Sequence, residues 1–173
     1  QTIFQNDTRI TMNEDDQPLT PEAQAYPIEK FNRAISAFRI LRDIGNYDWG
    51  IAGALGEIYA EEKFGMKKAE RGEPGIDGFI GKRSVSVKTK EAGWRESSAY
   101  FGITKKNIGI ADDLLVILLS DSDSLEPEAL GPLSFDELDK DGVFSTVKKN
   151  GDRRYYLRRI RKYIKRKETD ANK

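Results

Sequence analysis

The spacing of apolar residues predicts two helices near the start of the chain. The first begins at Ile28, ends at Gly45-Asn46, and carries an apolar residue every three or four positions. The second extends from about Trp49 to Phe64. Both patterns are typical of helices that bury one face and expose the other.

The period then changes from that of a helix to that of a strand. Residues 75–80 and 84–90 have strand-like patterns, and Gly81-Lys82 between them predicts a two-residue hairpin turn. Because side chains alternate along a strand, Val85 and Val87 fall on one face of the return strand. The other face carries Ser86, Lys88 and Lys90.

Two more strands are predicted further along the chain. Residues 99–104 form the third, and the nearly apolar segment 113–119 is expected inside the sheet. Residues 133–138 are ambiguous, because Ser134 is also a suitable N-cap for a helical turn.

The C-terminal part predicts a hairpin followed by a helix. Asn150-Gly151 is a strong turn signal within residues 143–158. Beyond it, helical spacing of apolar residues continues on an otherwise cationic segment, with Leu157, Ile160 and Ile164.

Together these elements predict one α/β domain with a mixed sheet of four to five strands flanked by helices. Residues 1–27 lack periodicity and predict an irregular N-terminal arm. Residues 28–150 form the predicted core domain, and residues 151–173 form a basic C-terminal segment.

Composition narrows the chemistry that such a domain can perform. The chain has no cysteine and no histidine, which excludes disulfides, zinc-thiolate sites and thiol or imidazole catalysis. Catalysis would have to use carboxylates, lysines and hydroxyls, with a hard cation such as magnesium, manganese or calcium. No apolar run is long enough to span a membrane and the N-terminus does not resemble a signal peptide, so a cytoplasmic protein with no membrane partner is expected.

Charge is balanced overall but unevenly distributed. The 29 basic residues equal the 29 acidic ones; the N-terminal part is acidic and the C-terminal part basic. Tyrosines lie among the C-terminal arginines, a mixture suited to phosphate contacts and base stacking. Alternatively, this segment only balances the acidic arm. The candidate nucleic-acid contacts are Lys90, Arg153, Arg154, Arg158 and Arg159.

Three motifs, in this order, resemble the PD-(D/E)xK nuclease superfamily. They are Gly56-Glu57 on a helix, Gly75-Ile76-Asp77-Gly78 at the start of a hairpin, and Val85-Ser86-Val87-Lys88-Thr89-Lys90 on its return strand. In that superfamily a helix precedes a hairpin, with an Asp on its first strand and an acidic residue or Gln two positions before a Lys on its second. The resemblance covers residues from about 50 to 120.

The resemblance implies a restriction-endonuclease-like core and an endonuclease that hydrolyses nucleic-acid phosphodiesters, with DNA as the expected substrate and Mg²⁺ (or Mn²⁺) as cofactor. It implies Asp77 as the main metal ligand, Glu57 as a second and the Val87 carbonyl as a third. Lys88 would position the attacking water. A homodimer or larger assembly is expected, because so small a chain would need a partner to cut both strands.

Ser86 departs from the superfamily pattern, which has Glu, Asp or Gln at this position. Either Glu57 compensates, or the protein is a degenerate binder, or the residue was substituted in this chain. The corresponding functional alternatives are a module that binds nucleic acid without cutting it and a subunit that binds a protein partner.

Each candidate residue also has a purely structural interpretation. Asp77 could form a turn, Glu57 and Glu61 could be a solvated helix face paired with lysines, and Lys88 could point outward from a half-exposed strand. Two other groups are interpreted as structural. Trp94, Tyr100 and Phe101 are expected in the core, and Asp112-Asp113 in a solvated loop.

Overall fold

A computed structural model describes residues 28–45, 51–70, 73–91, 98–119 and 127–171, with the side chains of 41–45 excepted. The helices are α1 (Glu29–Gly45), α2 (Ile51–Phe64), α3 (Phe135–Lys140) and α4 (Leu157–Ala171). The strands are β1 (Lys67–Lys68), β2 (Gly78–Ile80), β3 (Arg83–Lys90), β4 (Tyr100–Ile103), β5 (Asp113–Leu118), β6 (Glu128–Ser134), β7 (Phe144–Thr146) and β8 (Arg153–Tyr156). The predicted N-terminal arm, 1–27, lies outside the described residues.

The main sheet has five strands in the order β1-β2-β3-β5-β6. Strands β3 and β5 are parallel, and the other neighbouring pairs are antiparallel. The predicted α/β fold with a mixed sheet and flanking helices is therefore confirmed. All six residues of β5 are buried, because both faces of this interior strand are covered.

Helices α1 and α2 cover one face of this sheet. The apolar stripe predicted for α1 is buried there, with Phe31 2% exposed and Phe38 3% exposed. Val85 and Val87 face the same cluster, as their alternation predicts. Helix α2 approaches β3 closely at Gly56, where an added Cβ would lie 1.8 Å from Thr89 Oγ1.

A second, three-stranded sheet in the order β4-β8-β7 contributes to the core on the other face. Sequence periodicity predicts strands but not the sheet that each one joins, so this separate sheet was not expected. Helix α4, predicted from the spacing in the basic segment, belongs to the same core, with Leu157 and Ile160 fully buried.

The predicted hairpin turns differ in outcome. Ile80 pairs with Arg83, so Gly81-Lys82 is the expected two-residue turn. In the second hairpin Thr146 pairs with Arg153, which places Asn150-Gly151 in a longer loop. That loop is closed by hydrogen bonds between residues 147 and 151 and between 147 and 152.

Three local predictions need correction. Tyr100 is not in the core, because its outward side chain on β4 is 40% exposed, although Phe101 is buried as expected and Trp94 lies outside the described residues. Asp113 is not in a solvated loop, because it begins β5 and is only 6% exposed. Ser134 precedes α3 but makes no side-chain capping hydrogen bond.

Strands β1 and β6 were not predicted. The first has only two residues, and the second contains Gly131 and Pro132, which sequence rules associate with turns rather than strands. Among the described residues, no helix is long and apolar enough to cross a membrane.

Candidate active site

The β2–β3 hairpin brings Asp77, Val87 and Lys88 together. Asp77 precedes β2, and its Oδ2 accepts a 2.7 Å hydrogen bond from the Val87 backbone N–H on β3. Lys88 Nζ lies 3.2 Å from the Val87 carbonyl oxygen and 3.8 Å from Asp77 Oδ2. A carboxylate, a carbonyl and an ammonium thus share one small, half-exposed space, as the three motif positions predict.

Ser86 belongs to the same cluster, although it is neutral. It is only 2% exposed, and its hydroxyl donates a 3.3 Å hydrogen bond to Asp77 Oδ2. The hydroxyl thus stabilises the Asp77 carboxylate and adds no negative charge. A carboxylate at this position would stand beside Asp77 and would need a cation to offset the repulsion.

Glu57 is turned toward a residue that the sequence analysis did not single out. Its carboxylate forms a 2.6 Å ion pair with Lys68 of β1. The hydrogen bond to Glu57 and the charge of Glu57 are the main causes that raise the pKa of Lys68, with a smaller contribution from Asp77. Glu61 pairs in turn with Lys30 at 2.7 Å. The structural alternative for this helix face, carboxylates paired with lysines, is therefore present.

The donor atoms determine which metal the site could hold. Within the described parts of the chain, no group of three or more His, Cys, Asp or Glu residues is arranged to bind a metal ion. The candidate donors are the carboxylates of Asp77 and Glu57 and the carbonyl of Val87, all oxygens. This set fits a hard divalent cation such as Mg²⁺ or Mn²⁺ in chemistry, with fewer charges to hold it than a three-carboxylate site.

A pocket of about 80 Å³ opens beside these residues. Ser86 and Lys88 line one side, and Gly102, Thr104 and Asn107 from β4 and the turn after it line another. Asn107 Oδ1 is buried and has no hydrogen-bond partner among the described residues. A larger concavity, about 570 Å³, lies over the start of α1 and Glu62, and none of the candidate catalytic residues line it.

The predicted nucleic-acid contacts occupy different environments. Arg153 forms an ion pair with Asp139 and lies over the Phe144 ring. Lys90 is half-buried at the end of β3, whereas Arg158 is exposed in the first turn of α4.

Arg154 and Arg159 contact aromatic rings instead of carboxylates. Arg154 Cζ lies 4.5 Å from the centroid of Tyr100, and Arg159 Cζ lies 5.7 Å from that of Tyr156. These two residues share a surface with Tyr100, which is exposed, and Tyr156, which is half-buried. The sequence indicated tyrosines among the C-terminal arginines, but it did not indicate that Tyr100 joins them.

The sequence matches no protein-family model and no curated protein.

Proposed function

We propose that this chain is a metal-dependent nuclease of the PD-(D/E)xK type, which hydrolyses phosphodiester bonds of nucleic acid, with DNA as the favoured substrate. The observation that carries the proposal is the placement of Lys88 Nζ within 4 Å of both Asp77 Oδ2 and the Val87 carbonyl. These are the group types that metal-assisted phosphodiester hydrolysis needs in one place.

The order of the elements around this cluster also supports a restriction-endonuclease-like core. Helix α2 precedes the β2–β3 hairpin in sequence and packs on β3, and the apolar strand β5 follows and pairs parallel to β3. This is the arrangement that the resemblance implies for a helix, a catalytic hairpin and the strand beside it.

Each residue would have a distinct role. Asp77 and the Val87 carbonyl would hold a divalent cation. Glu57 would become a further ligand once its ion pair with Lys68 is broken. When bound, such a cation neutralises charge on the phosphoryl oxygens. Lys88, held by the Val87 carbonyl and near Asp77, would hold and orient the attacking water. The Ser86 hydroxyl would fix the orientation of the Asp77 carboxylate.

A second candidate function has its own support. A nuclease-type scaffold that binds nucleic acid without cutting it would have two features of this chain. Ser86 stands in place of an acid, and Glu57 is paired with Lys68. The two candidates differ in metal dependence, since a binding module does not need a cation at Asp77.

The test is cleavage of supercoiled plasmid, single-stranded DNA and RNA with magnesium or manganese against EDTA. Asp77→Asn is the sharper active-site variant, because an amide oxygen can still accept from the Val87 N–H while the charge is lost. We expect Asp77→Asn and Lys88→Ala to lower the rate at least a hundredfold, because a positioned catalytic group contributes about 10²–10⁴ in rate.

Lys82→Ala is the matched control, because Lys82 lies in the turn at the opposite end of β3. Cutting that survives EDTA or the Asp77 substitution would contradict the proposal. If nothing is cut, Ser86→Glu decides between the candidates. Activity gained with manganese would assign the natural protein to binding, and continued inactivity would remove the nuclease assignment.

A further inference from the structure

The outer face of the three-stranded sheet carries tyrosines and arginines together. Tyr100 on β4 and Tyr156 on β8 are direct cross-strand neighbours, with ring centroids 5.8 Å apart at an interplanar angle of 54°. Arg154 lies over Tyr100, and Arg159 over Tyr156. We call these four residues the Tyr–Arg face.

Tyr100 is exposed on this face, and Tyr156 is half-buried. Tyr100 is 40% exposed, although an aromatic residue on a sheet would be expected to pack against a neighbouring layer. The next outward position on β4 is Gly102, whose missing side chain leaves the surface open, since a Cβ there would meet nothing within 4 Å. Hydrogen bonds of the Tyr156 hydroxyl with Ser145 and Arg154 lower its pKa.

The cations of the basic segment differ in whether a carboxylate pairs with them. One set of cations is neutralised by carboxylates on α3, β6 and the turn after α3. These pairs are Arg153–Asp139, Arg161–Glu128, Arg166–Asp141 and Lys167–Glu137.

The cations of the Tyr–Arg face have no such partners among the residues that the structure describes. Within the described residues, neither Arg154 nor Arg159 contacts a carboxylate, and the polar contact of the Arg159 guanidinium is with the Phe144 carbonyl. In the part of the chain that the structure describes, this face therefore presents positive charge not paired with carboxylates, beside the exposed ring of Tyr100 and the half-buried ring of Tyr156. That combination complements a polyanion with flat, unpaired rings, since backbone phosphates pair with arginine and bases stack on tyrosine.

The face also lies close to the candidate active site. Arg154 is the cross-strand neighbour of Gly102, and Gly102 lines the pocket that contains Lys88 and Ser86. Tyr100 is two residues from Gly102 along β4, a rise of roughly 7 Å. The pocket wall at Gly102 is therefore within reach of a strand that stacks on the tyrosines.

We propose that the Tyr–Arg face is a stacking platform for unpaired bases, so that the preferred substrate is a single strand or a duplex with a single-stranded flank. The inference about cleavage rests on the proposed nuclease function, whereas the inference about binding does not. Duplex bases are stacked on each other and cannot reach the tyrosine rings, which is why the platform favours unpaired strands.

The test is fluorescence anisotropy of the full chain in EDTA with three labelled probes. The first probe is a short oligothymidylate of about 4–16 nucleotides, the usual size of a single-strand binding site. The other two are the matching duplex and an abasic oligomer with the same number of phosphates. We expect the oligothymidylate to bind more tightly than both other probes. Tyr100→Ala and Tyr156→Ala should each weaken it about tenfold or more, and Tyr156→Trp should preserve binding.

Two arginine variants separate charge from stacking. Arg154→Ala should weaken binding of all probes and reduce the salt slope by about one. Arg166→Ala is the matched control, because its guanidinium is already paired with Asp141, and it should leave affinity unchanged. Circular dichroism and unfolding curves would establish that the exposed tyrosine variants fold.

Equal affinity for the abasic oligomer and the oligothymidylate would overturn the stacking proposal. Competition by polyglutamate at concentrations as low as those of unlabelled oligothymidylate would also overturn it and assign the face to an acidic protein partner. If the tyrosine variants lose binding but nothing is ever cut, the platform stands and the nuclease proposal fails. If cutting occurs but these variants leave KM for single strands unchanged, the platform alone fails.

Discussion

At the scale of single residues, short polar contacts join β3, which carries part of the Asp77 cluster, to β5. Asp113, far from the hairpin turn in sequence, accepts two 2.7 Å hydrogen bonds from the Arg83 guanidinium at the start of β3. The hydrogen bond and charge of Asp113 raise the pKa of Arg83. The neighbouring Asp112 completes the link between β3 and β5.

Asp112 should make the stability of the protein depend on pH in the acid range. Hydrogen bonds from the Ser84 backbone N–H and hydroxyl, both 2.9 Å, lower the pKa of Asp112. Its contribution to stability is complete above the ordinary Asp pKa of about 3.9 and is lost as the pH falls through the lowered pKa. We expect Asp112→Asn to reduce the acid-induced loss of stability, measured by urea unfolding at a series of pH values.

Ser84→Ala provides a graded comparison for this prediction. It removes the hydroxyl donor and keeps the backbone donor, so the acid dependence should fall between that of the wild type and that of Asp112→Asn. If the stability of Asp112→Asn falls with decreasing pH as steeply as that of the wild type, other carboxylates dominate the acid dependence of stability.

At the scale of elements, the distance between α2 and β3 is set by a glycine. A Cβ at position 56 would lie 1.8 Å from Thr89 Oγ1 and 3.1 Å from Thr89 Cβ, so a side chain there forces the helix and strand apart. Glu57 is the next residue on the helix, and its position relative to the hairpin depends on this contact.

Gly56→Ala should therefore destabilise the fold by about 1–3 kcal/mol, the usual cost of overpacking. Gly53→Ala on the same helix has nothing within 4 Å of the added Cβ and should instead stabilise by up to about 1 kcal/mol. Chemical denaturation of the two variants measures the difference. Equal effects at both positions would contradict the close-packing argument, and Thr89→Ala should relieve the cost of Gly56→Ala.

At the scale of the whole molecule, two layers pack on opposite faces of one sheet, and the cation proposed for the Asp77 cluster should stabilise the entire fold. A ligand present at 100 times its dissociation constant adds about 2.7 kcal/mol of stability. For a chain of this size that corresponds to a rise in Tm of roughly 5–10 °C.

We expect saturating Mn²⁺ to raise the Tm of the wild type and to leave Asp77→Asn nearly unchanged, measured by differential scanning calorimetry without substrate. Lys68→Met should enlarge the Mn²⁺ effect, because it removes the ammonium that occupies Glu57. A Tm increase of the same size in Asp77→Asn would place the cation elsewhere. Calcium offers a second hard cation for comparison.

The sequence by itself determined the local elements and the residues of the Asp77 cluster. Apolar periodicity predicted α1, α2, β3, β5 and α4, because the spacing of apolar residues depends on whether one face or both faces of an element are buried. The β2–β3 hairpin was also predictable, since its Gly-containing turn and alternating return strand are local signals. Asp77, Val87 and Lys88 meet for the same reason: they lie on the paired segments of one hairpin.

Only the tertiary structure decided which strands and charged residues pair when they are far apart in sequence. The second sheet pairs β4 with β8, more than fifty positions later, and this pairing exposes Tyr100 beside Arg154. The partner of Glu57 is Lys68 on a two-residue strand too short to carry a periodic signal. Periodicity records whether a side chain is buried, and it does not record which distant segment buries or neutralises it.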